Sequence, residues 1–286
     1  MLRVGWYRAR RTLRRQWGQL ATIALLIGLV GGLALGSITG ARRTQAAFPT
    51  YLETSKASDI QVQLNADAAT TSIDARLYDP TLTRRLRHLP RVTRVTASVS
   101  MFALPLDAHG KATMPASMAD NSVGVVGGVD GEFTSIDRMV PDQGRLADPR
   151  RLGEMVATVK AAQLLGWHVG QTFAMGAFTF DQTTTVGSNG IPVSPPYFRF
   201  EARLVGIAAV STDVVHDEVD QALSYVVLTP TLTRHLLSNG AGFTTYQLAL
   251  QHGTADVPAV EREIVAALPA GTTYNFHLTS VIDGQL

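Results

Sequence analysis

The chain has 286 residues, no cysteine and a formal net charge of +2. That average hides two unlike parts: residues 1–43 carry eight arginines and no acid, which leaves 17 basic against 23 acidic groups for the rest. An acidic remainder excludes polyanion binding by bulk charge, so no nucleic-acid partner is expected. The missing cysteines exclude thiol catalysis, thiolate metal sites and disulfides.

In residues 1–19, Leu2, Trp6, Ala9, Leu13 and Trp17 recur at helical spacing and share one face. This predicts a cytoplasmic basic helix lying in the membrane interface. The rings of Trp6 and Trp17 would sit among lipid headgroups, with Arg10, Arg11, Arg14 and Arg15 turned toward phosphate. The competing reading is a plain positively charged flank. Residues 20–41 are uncharged, 22 in number, and about 33 Å long as a helix, against a hydrocarbon core of about 30 Å. They predict a transmembrane helix. With six arginines before it and no acid before Glu53, the N-terminus stays cytoplasmic and residues from about 42 onward lie outside. A cleaved export signal competes, because "ARRTLRR" partly resembles a twin-arginine signal. Against it stand the length and the lack of a small-x-small cleavage site in "SITGARRTQAAF". A buried soluble helix is the third reading. Residues 42–57 read as a helical stalk kinked near Pro49.

Beyond the stalk, "DIQVQL" (Asp59–Leu64) alternates as a half-buried strand. A helix follows from Asp79, the N-cap candidate, with Pro80 at its first position and Leu82, Leu86 and Leu89 inward. "RVTASVSM" (Arg94–Met101) is a second strand, with Val95, Ala97, Val99 and Met101 on one face. A second strand–helix–strand unit closes the chain: Thr245–Leu250, an amphipathic helix burying Val257, Val260, Ile264 and Leu268, and Thr272–Leu278. The two units predict an α+β subdomain from residues 58–104 and 244–280, with 105–243 as an inserted, mainly-β subdomain. In that middle part, Phe198, Phe200, Ala202 and Leu204 alternate with Arg199, Glu201 and Arg203, and "QTFAMGAFTF" is the expected partner strand. Asp181–Pro196 reads as a polar loop. The near-identical "PTLTRRL" (Pro80–Leu86) and "PTLTRHL" (Pro230–Leu236) read as two capped helix starts, or as traces of a duplication.

Little in the chain carries chemistry. No phosphate-cradling Gly-x4-Gly-Lys-Ser/Thr loop and no Gly-x-Ser-x-Gly elbow is present. "GVVGGVDG" (Gly124–Gly131) lacks dinucleotide spacing and reads as turns. "HDEVD" (His216–Asp220) is the densest set of potential metal ligands and reads as a solvated acidic loop. No catalytic residue, cofactor or metal is expected.

The layout of a basic helix, one span, "GARRTQAAFPTYLETSKASDIQV" and an exported domain resembles the start of FtsX/MacB-type ABC transporter permeases. The resemblance extends to "GRLADPRRLGEMVATVKAAQLLGWHVGQTFAM" (Gly144–Met175). Its Gly144-Arg145, Glu154, Leu165-Gly166 and Val169-Gly170-Gln171-Thr172-Phe173 match short motifs of the family's periplasmic core domain. The resemblance implies a non-enzymatic permease subunit in a bacterial plasma membrane, touching membrane lipid, driven by a separate cytoplasmic ATPase and paired with a second permease copy. Its exported domain would transmit movement, or bind cargo or a partner. Family permeases continue into further spans, so residues 281–286 are expected to begin the connection to a second span, making the chain a fragment or a shortened product. The alternatives are a single-pass anchored binding or sensor protein, and an anchored hydrolase using the acidic segment 213–220.

Overall fold

A computed structural model describes residues 22, 25–29, 31–32, 37, 54–65, 78–210, 224–240, 242–268 and 273–278. The chain divides into two compact units, Met1–Tyr51 and Leu52–Leu286. In the first unit the described residues are helical, and Leu25, Leu26, Ile27 and Leu29 are each more than half exposed. Among the described residues no helix is long and apolar enough to cross a membrane. The predicted interface helix, most of the predicted span and stalk, and residues 281–286 lie outside the described residues.

The second unit is a mixed α+β structure. Its strands are β1 (Ile60–Asn65), β2 (Val92–Met101), β3 (Ala103–Pro105), β4 (Val123–Val129), β5 (Val140–Gly144) and β6 (Glu154–Thr158). They continue with β7 (Thr172–Ala177), β8 (Phe198–Ala209), β9 (Ser224–Leu228), β10 (Gly242–Leu250) and β11 (Thr273–Leu278). The helices are α1 (Pro80–Arg87), α2 (Ala116–Ala119), α3 (Val159–Leu165), α4 (Phe180–Thr184), α5 (Pro230–Leu236) and α6 (Val257–Ala267). One sheet runs β11-β1-β10-β2-β4-β9-β6-β8-β7-β3, with β5 pairing β8 off that path.

Along the first four strands of that path, β11-β1-β10-β2, each neighbouring pair is antiparallel. They carry α1 and α6 as the crossovers of two strand–helix–strand units whose strands interleave, the split βαβ arrangement. Each helix has a local cause. Asp79 caps α1 by accepting from the Thr81 N–H at 2.7 Å, and Pro80 fits the first turn. Leu82 and Leu86 are buried, and α1 packs on β2. In α6, Val257, Val260 and Ile264 supply the buried stripe. The heptapeptide echo marks two capped starts: Thr229 caps α5 as Asp79 caps α1.

The other strands curl round. β2 and β3 are separated by Phe102 alone, yet β2 pairs β4 and β3 pairs β7 at the far end of the path. The sheet therefore bends back on itself between β2 and β3. Enclosed by it is the main core, which includes Val125, Met155, Met175, Leu204 and Leu228. A smaller cluster of Val126, Met139, Val156, Val205, Ala208, Val210 and Val227 covers the outer face of β4, β6, β8 and β9. Burial on both faces explains why "EMVAT" and "SYVVL" read as continuous apolar runs rather than alternating ones.

The glycine-rich Gly124–Gly131 stretch departs from the sequence reading. Gly124, Gly127 and Gly128 lie inside β4, and the turn comes only at Asp130 and Gly131. Packing requires two of them: a Cβ on Gly127 would sit 2.0 Å from Thr233 Oγ1 of α5, and one on Gly128 would sit 2.8 Å from the Glu132 carbonyl oxygen. The expected polar loop also holds more order than anticipated, with α4 and a bridge between Val186 and Pro192.

Candidate functional site

The residues that carry the family resemblance converge around the middle of β8. One edge of β8 pairs with β7 over Phe198–Arg203 and with β5 over Gly206–Ala209, so two strands abut end to end along it. At the junction the Arg145 N–H donates to the Val205 carbonyl at 3.0 Å, and the Gly170 N–H to the Leu204 carbonyl at 2.8 Å. On the opposite edge, the register against β6 shifts between Met155 and Val156, leaving Val205 as a bulge.

Glycine is needed for this convergence. Gly144 has φ +70, and a Cβ there would meet the Val205 carbonyl oxygen at 2.4 Å. A Cβ on Gly206 would lie 2.1 Å from the Arg145 carbonyl oxygen. Gly166 takes the left-handed conformation that ends α3, with φ +66, and Gly170 turns the chain into β7 with φ +97. Between them Trp167 stacks on Phe173, ring centroids 3.9 Å apart.

The electrostatic centre is Glu154, the first residue of β6 and only 5 % exposed. Arg145 grips it with two parallel bonds, Nη1 to Oε2 at 2.8 Å and Nη2 to Oε1 at 2.6 Å. Arg151 Nη1 reaches Oε1 at 3.3 Å, and the Asp148 N–H donates to Oε2 at 2.9 Å. The Arg145 fork, helped by the Asp148 N–H and the second arginine, holds the Glu154 carboxyl down at about 2. The Arg145 and Arg151 side chains are more than half exposed. Solvent therefore screens the cluster, and its ionic stabilisation is about 1–2 kcal/mol. Beside this pair opens a cleft of about 430 Å³, lined by Arg145, Arg151, Glu154, Val169 and Arg203 among others.

A second cluster lies where the unit begins. The Asp137 N–H donates to the Lys56 carbonyl at 3.1 Å, and the Arg138 N–H to the Ser55 carbonyl at 2.7 Å. The Ser58 N–H donates back to Asp137 Oδ1 at 2.9 Å. The loop after β4 thus clasps residues 55–58. Glu132, in the same loop, is buried and accepts from the Thr96 hydroxyl. Burial, with the Asp137 charge adding to it, pushes the Glu132 carboxyl well above the ordinary value of 4.5.

These two carboxyls act on stability in opposite pH windows. The folded value of Glu154 is depressed, so its contribution is full above about 4.5 and is lost as pH falls toward 2. The folded value of Glu132 is raised, so stability falls as pH rises above 4.5, where only the unfolded chain ionises that group. Glu132→Gln keeps the shape and the acceptor for Thr96. It is expected to raise the urea midpoint of the full chain at pH 7.5 and to flatten its decline between pH 5 and 8. An unchanged decline would show that Glu132 ionises in the fold as it does in the open chain.

The predicted interface residues Trp6, Arg10, Arg11, Arg14, Arg15 and Trp17, and the acidic segment 213–220, lie outside the described residues. Of the cluster residues, Arg145 and Glu154 stand out in the sequence only through the family motif. Arg151 and Arg203 carry no signal of their own; in the alternation of β8, Arg203 is indistinguishable from Arg199.

No protein-family model matches the sequence, and no curated protein matches it. Solved structures do. The chain is similar to extracytoplasmic domains of transport proteins. One is the periplasmic region of MacB from Actinobacillus actinomycetemcomitans, at 11 % identity and TM-score 0.42, covering 81 % of this chain and 94 % of that one. Another is the extracellular domain of the noncanonic ABC-type transporter YknZ from Gram-positive bacteria, at 12 % identity and TM-score 0.39, covering 77 % and 98 %. A third is a domain of a permease protein from Porphyromonas gingivalis, at 12 % identity and TM-score 0.38, covering 78 % and 90 %.

Proposed function

We propose that the chain is the N-terminal anchor and extracytoplasmic domain of an FtsX/MacB-like permease, a non-enzymatic subunit worked by a separate cytoplasmic ATPase. The observation that carries this reading is the pairing of β1 with β11. Ile60 stands opposite Leu278 on neighbouring antiparallel strands, about 5 Å apart. A domain suspended between two spans needs its entry and exit side by side, and the interleaved strand–helix–strand units put them there. The exposed Leu25, Leu26, Ile27 and Leu29 support an apolar surrounding for the preceding helix. In this reading Arg10, Arg11, Arg14 and Arg15 hold the N-terminal helix at the cytoplasmic lipid surface, near the docking place of the ATPase. A second permease copy completes the transporter.

The test has two arms in cells expressing the full chain. Val193 is 66 % exposed, and the protein has no cysteine of its own. Val193→Cys should react with a membrane-impermeant maleimide in intact spheroplasts; labelling only after lysis would place the domain on the wrong side. A photo-crosslinker at Thr12 should capture an ATP-binding-cassette subunit. Capture of a kinase, or of no nucleotide-binding protein, would favour the single-pass sensor reading.

A further inference from the structure

We propose that the loop after β4 is a proton-operated clasp on the segment by which the chain enters the domain: ionisation of Glu132 beside Asp137 opens it and frees residues 55–58. The clasp closes a helix end. Residues 54 and 55 are helical, and Lys56 turns out of the helix with φ +49. The last carbonyls of a helix have no partner within it. Here the Ser55 carbonyl accepts from the Arg138 N–H and the Lys56 carbonyl from the Asp137 N–H, while Asp137 Oδ1 accepts from the Ser58 N–H. The loop folds back on itself to present these groups, with a bridge between Glu132 and Ile136. That fold is strained. Of the six non-glycine residues with left-handed backbone among the described residues, four belong to the clasp: Lys56, Asp130, Phe133 and Asp137. Such backbone persists only while the surrounding contacts hold it, so the clasp has strain to release once they weaken.

The weak point is the carboxyl pair. Glu132 is 2 % exposed and Asp137 4 %. The charged groups around Glu132 leave it uncompensated. On β2, Arg94 is exposed, and its Nη1 donates to the Ser135 carbonyl at 2.8 Å. Lys56 in the entry segment and Arg138 in the loop are exposed, and Asp130 accepts from the Tyr78 hydroxyl. Among the described residues no cation pairs with Glu132. A charge on it would sit out of water beside that of Asp137, and the loop escapes this by turning Glu132 to solvent. In the closed clasp Glu132 keeps its proton well above the ordinary 4.5; in the open one it ionises near that value. Opening thus releases one proton, and its equilibrium constant rises about tenfold per pH unit above about 5, until the closed form ionises too. Residues 55–58 then add up to about 13 Å of slack chain ahead of β1.

Hydrogen exchange of the full chain in dodecyl maltoside, read by mass spectrometry, follows the Ser58, Asp137 and Arg138 amides from pH 5 to 7. Protection is the intrinsic exchange rate at each pH divided by the observed one. At these amides it is expected to fall about tenfold per pH unit. It should also lie at least about tenfold below that of the β6–β9 ladder, and stay unchanged in about 1 M urea, because a local opening exposes little surface. In Glu132→Gln, which cannot ionise, the pH slope should vanish. Ladder-like protection and urea sensitivity at the clasp amides would overturn the clasp, since they would then open only with the whole domain. A slope kept in Glu132→Gln, or absent from the unaltered chain, would overturn Glu132 as the trigger. The unaltered chain carries the test alone, through its slope and its urea response, if Glu132→Gln fails to fold. The exchange involves neither an ATPase nor the side of the membrane, so failure here and failure of the permease reading are separable.

Discussion

Arg145→Ala is expected to lower the urea midpoint of the full chain by more than Glu154→Ala does. The asymmetry follows from burial. Glu154 is 5 % exposed, so removing Arg145 leaves a carboxylate out of water with only Arg151 and the Asp148 N–H to satisfy it. Removing Glu154 instead leaves two arginines that are already more than half exposed and simply hydrate. The double variant should then fall well short of the sum, because Arg145→Ala costs most when there is a carboxylate to strand. Urea unfolding in detergent, followed by intrinsic tryptophan fluorescence, measures all three. Strict additivity would mean that the fork contributes nothing as a pair.

Gly206→Ala should cost at least about 3 kcal/mol, and Gly166→Ala about 1 kcal/mol. Neither change alters charge, and both add one methyl group. At Gly206 that methyl would lie 2.1 Å from the Arg145 carbonyl oxygen, 2.9 Å from its carbonyl carbon and 3.1 Å from its nitrogen. Main chain cannot rotate aside as a side chain can, so β5 must separate from β8 and carry Arg145 off Glu154. At Gly166 nothing lies within 4 Å of the new methyl, and the cost is only that of a left-handed backbone, φ +66. A Gly206→Ala variant as stable as Gly166→Ala would show that the junction is loose.

How much of this was readable beforehand depends on where each signal resides. β1, β2, β8 and β10 were legible because one face of each is apolar in strict alternation. α1 was legible because Asp79 and Pro80 announce its start. β4 was not, because "VGVVGGV" has glycines where packing against Thr233 and Glu132 demands them, and glycine erases the alternation. β5, "VPDQG", is mostly exposed and irregularly paired, so it carries almost no apolar signal. The candidate cleft was invisible for another reason. It is assembled from residues near 145, 151, 170 and 203, which pairing across β8 brings together, and no local pattern encodes that meeting. The family motif pointed at Gly144, Arg145, Glu154 and Gly170, and the structure supplies their physical reason: a tight crossing and a charge grip.

The β1–β11 pair also fixes how this domain responds to mechanical load. In the proposed permease, tension would enter at Ile60 and at Leu278, which face each other at one end of a six-rung ladder. Pulled apart sideways, the two strands would peel, breaking rungs one after another from that end, the weakest way to load a sheet. Pushed or pulled together along their axes, they put no shear on the rungs between them and move the sheet as a stiff lever, with Asp59 accepting from the Leu250 N–H to tie in β10. In the proposed permease, such a domain would relay concerted strokes at its base and yield when its two attachment points diverge.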